Sequence, residues 1–305
     1  MDIQAIIVQL AVLFIILVLG FIVRKIKVLP PEAGGVMTKI VLNISLPCMI
    51  LNSAVGGDLR ITGGETAYFL LMSVLTLLIC MAVALICSRL IGGEKSDRGL
   101  FAAMIAFGNV GFMGIPVAHA VFGPESAFFV SLNMIPFQIL TFGTGSLLVS
   151  GKGGKFDPTA LRSPALIAAV LAVPLSVLHF KAPIVVVDTL KLMGSVTTPG
   201  SMLIIGFMLA EAPLSKVFSE WRLYLMMLLK LLVIPVVVWL ILRQLITDDL
   251  MLGVLVVLSG MPTAAIVGMF AVEYEGNESL ASGGVFLTTL ISGLSIPLIV
   301  YMLLM

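Results

Sequence analysis

Two stretches of the chain place glycine, proline and a polar side chain together in the middle of otherwise apolar runs. They are Ala106-Phe-Gly-Asn-Val-Gly-Phe-Met-Gly-Ile-Pro116 and Leu258-Ser-Gly-Met-Pro-Thr-Ala-Ala-Ile-Val-Gly268. The chemistry these residues offer is noncovalent. Glycine costs about 1 kcal/mol in a helix interior and proline about 3, so a helix entering either stretch is expected to break. A break in an apolar medium frees backbone N–H and C=O groups, which must then face protein, water or a ligand. A half-helix restarting beyond it presents unpaired N–H groups and roughly half a positive charge, a setting that suits an anion. Gly108 and Gly111 let a ligand approach the backbone closely. Asn109 offers amide donors without a charge that would need desolvation. In the second stretch Pro262 suits the first turn of a restarting helix, whose missing N–H is not needed there. Gly108, Asn109, Val110, Gly111, Met261, Pro262 and Thr263 are therefore candidate substrate-binding residues, with Pro116, Gly260 and Gly268 as breaks or hinges. The plain alternative is a pair of ordinary proline kinks.

Milder interruptions occur at Asn43-Ile-Ser-Leu-Pro47 and Thr197-Thr-Pro199. Asn43 and Pro47 are candidate substrate contacts and Pro199 a candidate hinge, although Ser and Thr often patch the carbonyls that a following proline frees. Asn133 and Gln138 are amides in an apolar run that either line the site or join helices; Asn133 is kept as a candidate contact. Lys230 lies eight residues beyond Arg222, about 12 Å along a helix. It either snorkels toward water or faces the interior, where it balances freed carbonyls or helps an anion. Lys230 and Glu65 are the candidate supporting charges. Glu273 reads as a solvated helix end and His119 as a packed polar group.

Other chemistries find little support. Cys48, Cys80 and Cys87 are odd in number and lie in apolar stretches, with no CxxC spacing. His119 and His179 are too far apart to suggest a local metal pair. There is no HExxH, no GxSxG and no pair of intramembrane aspartates. No enzyme activity, cofactor or metal is expected.

The elements that position these residues follow from composition. The chain is 60% hydrophobic and only 11% charged, with a mean hydropathy of +1.21, against about 45–50% and about 25% in soluble domains. That places it in the membrane. A net charge of +1 gives no basic surplus for nucleic acid. A hydrocarbon core of about 30 Å needs roughly 20 apolar helical residues. Ten segments qualify: Ile6–Val23, Val36–Val55, Ala67–Cys87, Leu100–Phe122, Ala127–Leu148, Pro164–Leu178, Val185–Ala210, Leu223–Leu242, Leu250–Val272 and Leu280–Leu304. None alternates with the period of a barrel strand, so helices are the expected spanning element. The first run has Asp2 before it and Arg24, Lys25 and Lys27 after it, which fits a retained span rather than a signal peptide.

Positive residues then orient the chain. With the N-terminus outside, inner loops and span ends hold twelve Lys and Arg residues and outer ones hold four: Arg60, Lys181, Lys191 and Arg243. The opposite orientation inverts this bias. Both termini are expected outside.

Sliding the chain by 152 residues places Lys39 on Lys191, Pro47 on Pro199, Leu71 on Leu223 and Gly108 on Gly260. The breakers of the second and fourth spans thereby fall on those of the seventh and ninth. Five spans per half is odd, so the second half enters from the opposite face and the repeat is inverted. The expected organisation is a first five-helix repeat at 1–150, a short cytoplasmic connector at 151–163 and a second, inverted repeat at 164–305.

At these residues the sequence resembles the auxin efflux carrier family, over essentially its whole length. The resemblance rests on Leu46-Pro47, on Gly108-Asn109 through Pro116, and on Met261-Pro262 through Ala271-Val-Glu-Tyr274. It implies a fold like that of bile-acid and sodium/proton carriers, in which helices four and nine cross at their breaks. Helices one, two, six and seven would form a scaffold for dimers. By the resemblance, Asn109 matches an asparagine that contacts a substrate carboxylate, and Pro262 matches the proline of the partner break. Glu65 falls near an acidic residue that supports transport in the plant members. The short connector suits the bacterial branch, where malate- and malonate-like acids are frequent assignments, and puts auxin in doubt.

The expectation is an all-α polytopic membrane protein: ten transmembrane helices in two inverted five-helix repeats, with broken helices four and nine crossing at the midplane. Its expected function is that of a secondary carrier or facilitator of small organic anions, carboxylates above all, by alternating access. It would sit as a homodimer in the cell inner membrane, with the lipid bilayer and the anion as its partners. The alternative is a membrane channel or a non-transporting signalling subunit.

Overall fold

The computed structural model describes residues 3–55, 61–150, 162–210, 220–274 and 276–304. The Gly151–Pro158 part of the expected connector lies outside them. Twelve helices occur among the described residues. They are α1 Ile3–Lys25, α2 Ala33–Val55, α3 Gly63–Ile91, α4 Lys95–Ala106, α5 Val110–Phe122, α6 Ser126–Val149, α7 Pro164–Val177, α8 Ile184–Leu209, α9 Trp221–Leu242, α10 Asp249–Ser259, α11 Ala265–Glu273 and α12 Glu278–Leu304. Seven of them, α1, α2, α3, α6, α8, α9 and α12, are long and apolar enough to cross a membrane. Among the described residues there is no strand, only an isolated antiparallel β-bridge between Gly108 and Thr263.

Local chemistry accounts for the helix ends. Thr62 and Glu65 form a reciprocal capping box at the start of α3, and Ser163 and Asp248 cap α7 and α10. The α1 and α7 helices close alike. Lys27 and His179 take left-handed φ values of 58° and 48°. The next residue then reaches back five positions, Val28 N–H to the Val23 carbonyl at 3.1 Å and Phe180 N–H to that of Leu175 at 2.9 Å.

Prolines shape the helix interiors in a regular way. Wide π turns at Val41–Ser45, Val110–Gly114 and Leu229–Val233 each end two residues before a proline, namely Pro47, Pro116 and Pro235. A proline ring clashes with the carbonyl four residues back and has no N–H to donate; the wider turn relieves both problems and lets the helix continue. A fourth π turn, Thr141–Gly145, lies in α6. The α8 helix instead turns at Val196 and resumes at Thr197, with Pro199 in the new first turn.

Small residues set the closest packing. A methyl group on Gly20 would overlap the Leu203 carbonyl, and one on Gly206 that of Leu17, so α1 and α8 meet backbone to backbone. The α2 helix packs on α7 and on the first half of α8. Chains of exposed apolar side chains such as Val8, Val12, Ile15 and Leu19 face outward from α1, as a lipid-facing surface requires. The α6 helix is the most enclosed of the seven long helices, with 61% of its apolar window buried, and this puts it beside the breaks.

Candidate functional site

The two interrupted stretches meet. The fourth apolar segment is split into α4 and α5 by Phe107–Asn109, and the ninth into α10 and α11 by Gly260–Ala264. Three backbone or side-chain bonds tie the breaks together. The Asn109 N–H donates to the Pro262 carbonyl at 2.7 Å and the Ala264 N–H to that of Phe107 at 3.0 Å. The Thr263 hydroxyl donates to the Met104 carbonyl near the end of α4 at 3.0 Å. Thr263 N–H in turn donates to the Thr288 hydroxyl of α12 at 3.1 Å. Groups that the breaks free from helical bonding are thus paired across the chain, as burial demands. The α4 helix contacts α11 and α10 contacts α5. The two broken segments therefore run past each other in opposite directions. Gly108 permits the close approach at the bridge, where a methyl group would lie 3.2 Å from the Leu258 carbonyl and 3.3 Å from that of Met261, tight enough that the neighbours would have to shift by a few tenths of an ångström.

A cavity of about 270 Å³ opens at this junction, room for roughly nine waters at ~30 Å³ each. Its wall includes the starts of both restarting helices, Asn109 to Phe112 on one side and Ala264 to Ile266 on the other. The rest comes from Leu42 and Asn43 in the π turn of α2, from Met134 to Phe142 in α6, and from Ser163 and Ala165 at the head of α7. Among the described residues no charged side chain lines it. Asn109 is the cap of α5, its Oδ1 accepting the Phe112 N–H at 3.2 Å, and that leaves its amide donors without a partner among the described residues. The α11 helix has Ala264 at its N-cap, which offers no capping side chain. Thr141 is part of the wall, while its hydroxyl is buried within the protein and has no partner among the described residues. Gln138 Oε1 accepts from Ser163 Oγ at 3.2 Å, while Ser163 also caps α7 by accepting the Leu166 N–H. The polar positions are therefore amides, hydroxyls and helix-start N–H groups, set among Phe112, Phe137, Phe142 and Met269.

The residues singled out in the sequence divide into three sets. Asn43, Gly108, Asn109, Val110 and Gly111 line the cavity. A side chain at Gly111 would meet nothing within 4 Å, so the open space begins at that position. Met261, Pro262 and Thr263 are buried and form the latch of the crossing, beside the cavity wall rather than on it. The remaining residues lie elsewhere. Pro47 and Pro116 follow π turns, and Gly260 ends α10 against Pro235 and Ile299. Gly268 lies inside continuous α11 rather than at a hinge. Asn133 is buried in α6, its Oδ1 without a partner among the described residues. Glu65 is exposed and held in the capping box of α3. Lys230 faces the interior, 1% exposed, and donates to the Ser259 carbonyl at the end of α10 at 3.2 Å.

Thr141, Ser163 and the aromatic wall of α6 are not singled out in the sequence, although α6 contains Pro136 and the glycines of its π turn. The amides Asn133 and Gln138, the latter three residues before the π turn begins, are the signals in that region.

Comparison with known proteins identifies the family. The family described as membrane transport protein matches residues 5–160 and 155–300. The chain is 27% identical to an uncharacterized transporter of Methanocaldococcus jannaschii, over 95% of this chain and 96% of the relative. It is 26% identical to an uncharacterized transporter of Methanothermobacter thermautotrophicus, over 95% of each. A chain of Rhizobium meliloti named "Putative malonate transporter" is 23% identical over 95% of this chain and 93% of its own. With several membrane-length helices and a family match over nearly its whole length, the chain is a multi-pass member of the membrane transport protein family, the auxin efflux carrier-like transporters, and not an enzyme.

Proposed function

We propose that the chain is a secondary carrier of small carboxylates, which bind in the cavity where the two breaks cross and are exposed to either face in turn. The observation that carries this reading is the wall of the cavity: two helix starts, one of them uncapped, face a space that also holds the donors of Asn109. Such a wall stabilises negative charge where water is scarce. The name of the Rhizobium meliloti relative includes malonate, which makes malonate and its analogues the first acids to try.

Alternating access in this reading rests on two inverted repeats, residues 1–150 and 164–305. Several features related by 152 residues support it. The left-handed helix ends at Lys27 and His179 correspond, as do the buried hydroxyls of Ser45 and Thr197, neither with a partner among the described residues. The π turn at Val41–Ser45 falls on the turn of α8 at Val196. Packing corresponds too, since α1 on the second half of α8 exchanges with α7 on α2. Each repeat then supplies five spans, the fourth of each being α4 with α5 and α10 with α11. The α1, α2, α7 and α8 helices form the scaffold through which a homodimer would assemble. The bias of Lys and Arg places both termini outside the cell inner membrane.

The test is transport by purified protein in vesicles, preceded by a thermal-shift screen against carboxylates, because a ligand stabilises the state it binds. A carrier shows saturable uptake and counterflow of the acid that stabilises it. Conductance that does not saturate would make the protein a channel, and no acid-dependent flux or stabilisation would return it to a signalling subunit.

A further inference from the structure

We propose that Lys230 is the fixed counter-charge of the site, setting the crossing at a net charge of +1 so that the carrier prefers a substrate bearing one negative charge. This rests on the cavity being an anion site, as argued above. Lys230 is buried in the π turn of α9 and its ammonium donates to the Ser259 carbonyl, at the end of α10. The titratable neighbour acting on it is the thiol of Cys80, a neutral group, and no carboxylate pairs with it among the described residues.

A lone buried ammonium is costly, and packing alone does not call for one, because a methionine of similar length would fill the same space. Its value is electrostatic. Four helix ends meet at the crossing. The starts of α5 and α11 each carry about +0.5 of a charge and the ends of α4 and α10 about −0.5, so their sum is close to zero. At the end of α4 the Met104 carbonyl is served by the neutral hydroxyl of Thr263. At the end of α10 the Ser259 carbonyl is served by a full positive charge. Lys230 is therefore the net charge of the junction. One bound carboxylate makes the loaded crossing neutral, whereas a dianion leaves it at −1 and a neutral analogue at +1.

The five-residue break Gly260–Ala264 separates Ser259 from the cavity wall, at most about 17 Å if fully extended. A unit charge acting over about 10–17 Å at an effective dielectric constant of ~20 changes affinity roughly five- to twentyfold.

The experiment uses three near-isosteric probes of increasing charge: malonamide, malonamate and malonate. Their affinities are measured by calorimetry on the detergent-purified parent and on Lys230→Met, Lys230→Gln and Lys230→Arg. Lys230→Gln keeps a donor for the Ser259 carbonyl without charge, so it serves if Lys230→Met does not fold. The parent is expected to bind malonamate most tightly. The neutral variants should lose about five- to twentyfold toward malonamate while binding malonamide as the parent does, and Lys230→Arg should keep the parent's order. Equal losses for all three probes would mark a structural role, and unchanged malonamate affinity in a folded neutral variant would remove any role; either overturns this proposal alone. A parent that binds malonate most tightly also overturns it, with the anion site intact. A parent that prefers malonamide, or binds none of the three, overturns the anion reading and this inference with it.

Discussion

Asn109 has two jobs in the structure, and one pair of substitutions separates them. Its Oδ1 accepts the Phe112 N–H at 3.2 Å and caps α5, while its amide donors border the cavity. Asn109→Ala removes both. Losing an N-cap costs about 1 kcal/mol, which for a chain of this size lowers the melting temperature by about 1–2 °C. Asn109→Asp keeps the cap, because aspartate ranks with asparagine there and its charge suits the start of a helix. It also puts a negative charge next to the carboxylate proposed to bind there. At about 5 Å and an effective dielectric constant of ~20 the repulsion is about 3 kcal/mol, or roughly two orders of magnitude in Kd. The assay is melting of the apo protein and calorimetric titration with the carboxylate that best stabilises the parent. The expected pattern is a lowered melting temperature and weakened binding for Asn109→Ala, and a parent-like melting temperature with binding nearly abolished for Asn109→Asp. Parent-like affinity in Asn109→Asp would refute the placement of the carboxylate beside Asn109, and a melting temperature as low as that of Asn109→Ala would refute the cap.

Three further outcomes are expected. Thr263→Val, nearly isosteric, leaves the Met104 carbonyl unpaired and should cost about 1–3 kcal/mol by chemical denaturation, with Thr263→Ser close to the parent; equal behaviour of both variants would show that the hydroxyl does not hold the crossing. Glu220, just before α9, accepts two bonds at 2.9 Å from Arg222, and these hold its carboxyl below the ordinary carboxylate range. Its contribution is present above the unfolded value of about 4.3 and is lost as pH falls through the lower folded value; the melting difference between parent and Glu220→Gln should vanish on acidification, and a difference constant with pH would contradict the pairing. For topology, Lys155→Cys in a background lacking Cys48, Cys80 and Cys87 should resist an impermeant thiol reagent applied to intact cells, and labelling from outside would reverse the inferred orientation.

Where the helices break was legible from the residues themselves. The costs of Gly108, Gly111, Gly260 and Pro262 in a helix are local, so no tertiary knowledge is needed to see that regular helix stops at 107–109 and 260–264. The side of the break on which each residue falls was not legible. Gly108, Asn109, Val110 and Gly111 reach the cavity, whereas Met261, Pro262 and Thr263, which looked equivalent, are bonded into the latch behind it. That difference depends on which strand of the bridge faces α6 and which faces α12, and no pattern within either segment encodes it. Gly268 shows the converse, since a lone glycine within an apolar run is tolerated inside a helix when nothing else interrupts it.

Composition and hydropathy by themselves determined a helical membrane protein, because so few charged groups cannot cover a water-facing surface and lipid admits no unpaired backbone. The breakers determined where backbone groups would come free, because glycine and proline act through their own conformational limits. The tertiary structure decided which helices enclose those groups and what else reaches them. It set Thr141 in the cavity wall at the start of a π turn that no proline follows, and it buried Lys230 against Ser259 instead of letting it snorkel. A π turn rotates every following side chain around the helix axis relative to the 3.6-residue period. The faces of α2, α6 and α9 beyond their π turns can therefore be assigned only once those turns are seen in three dimensions.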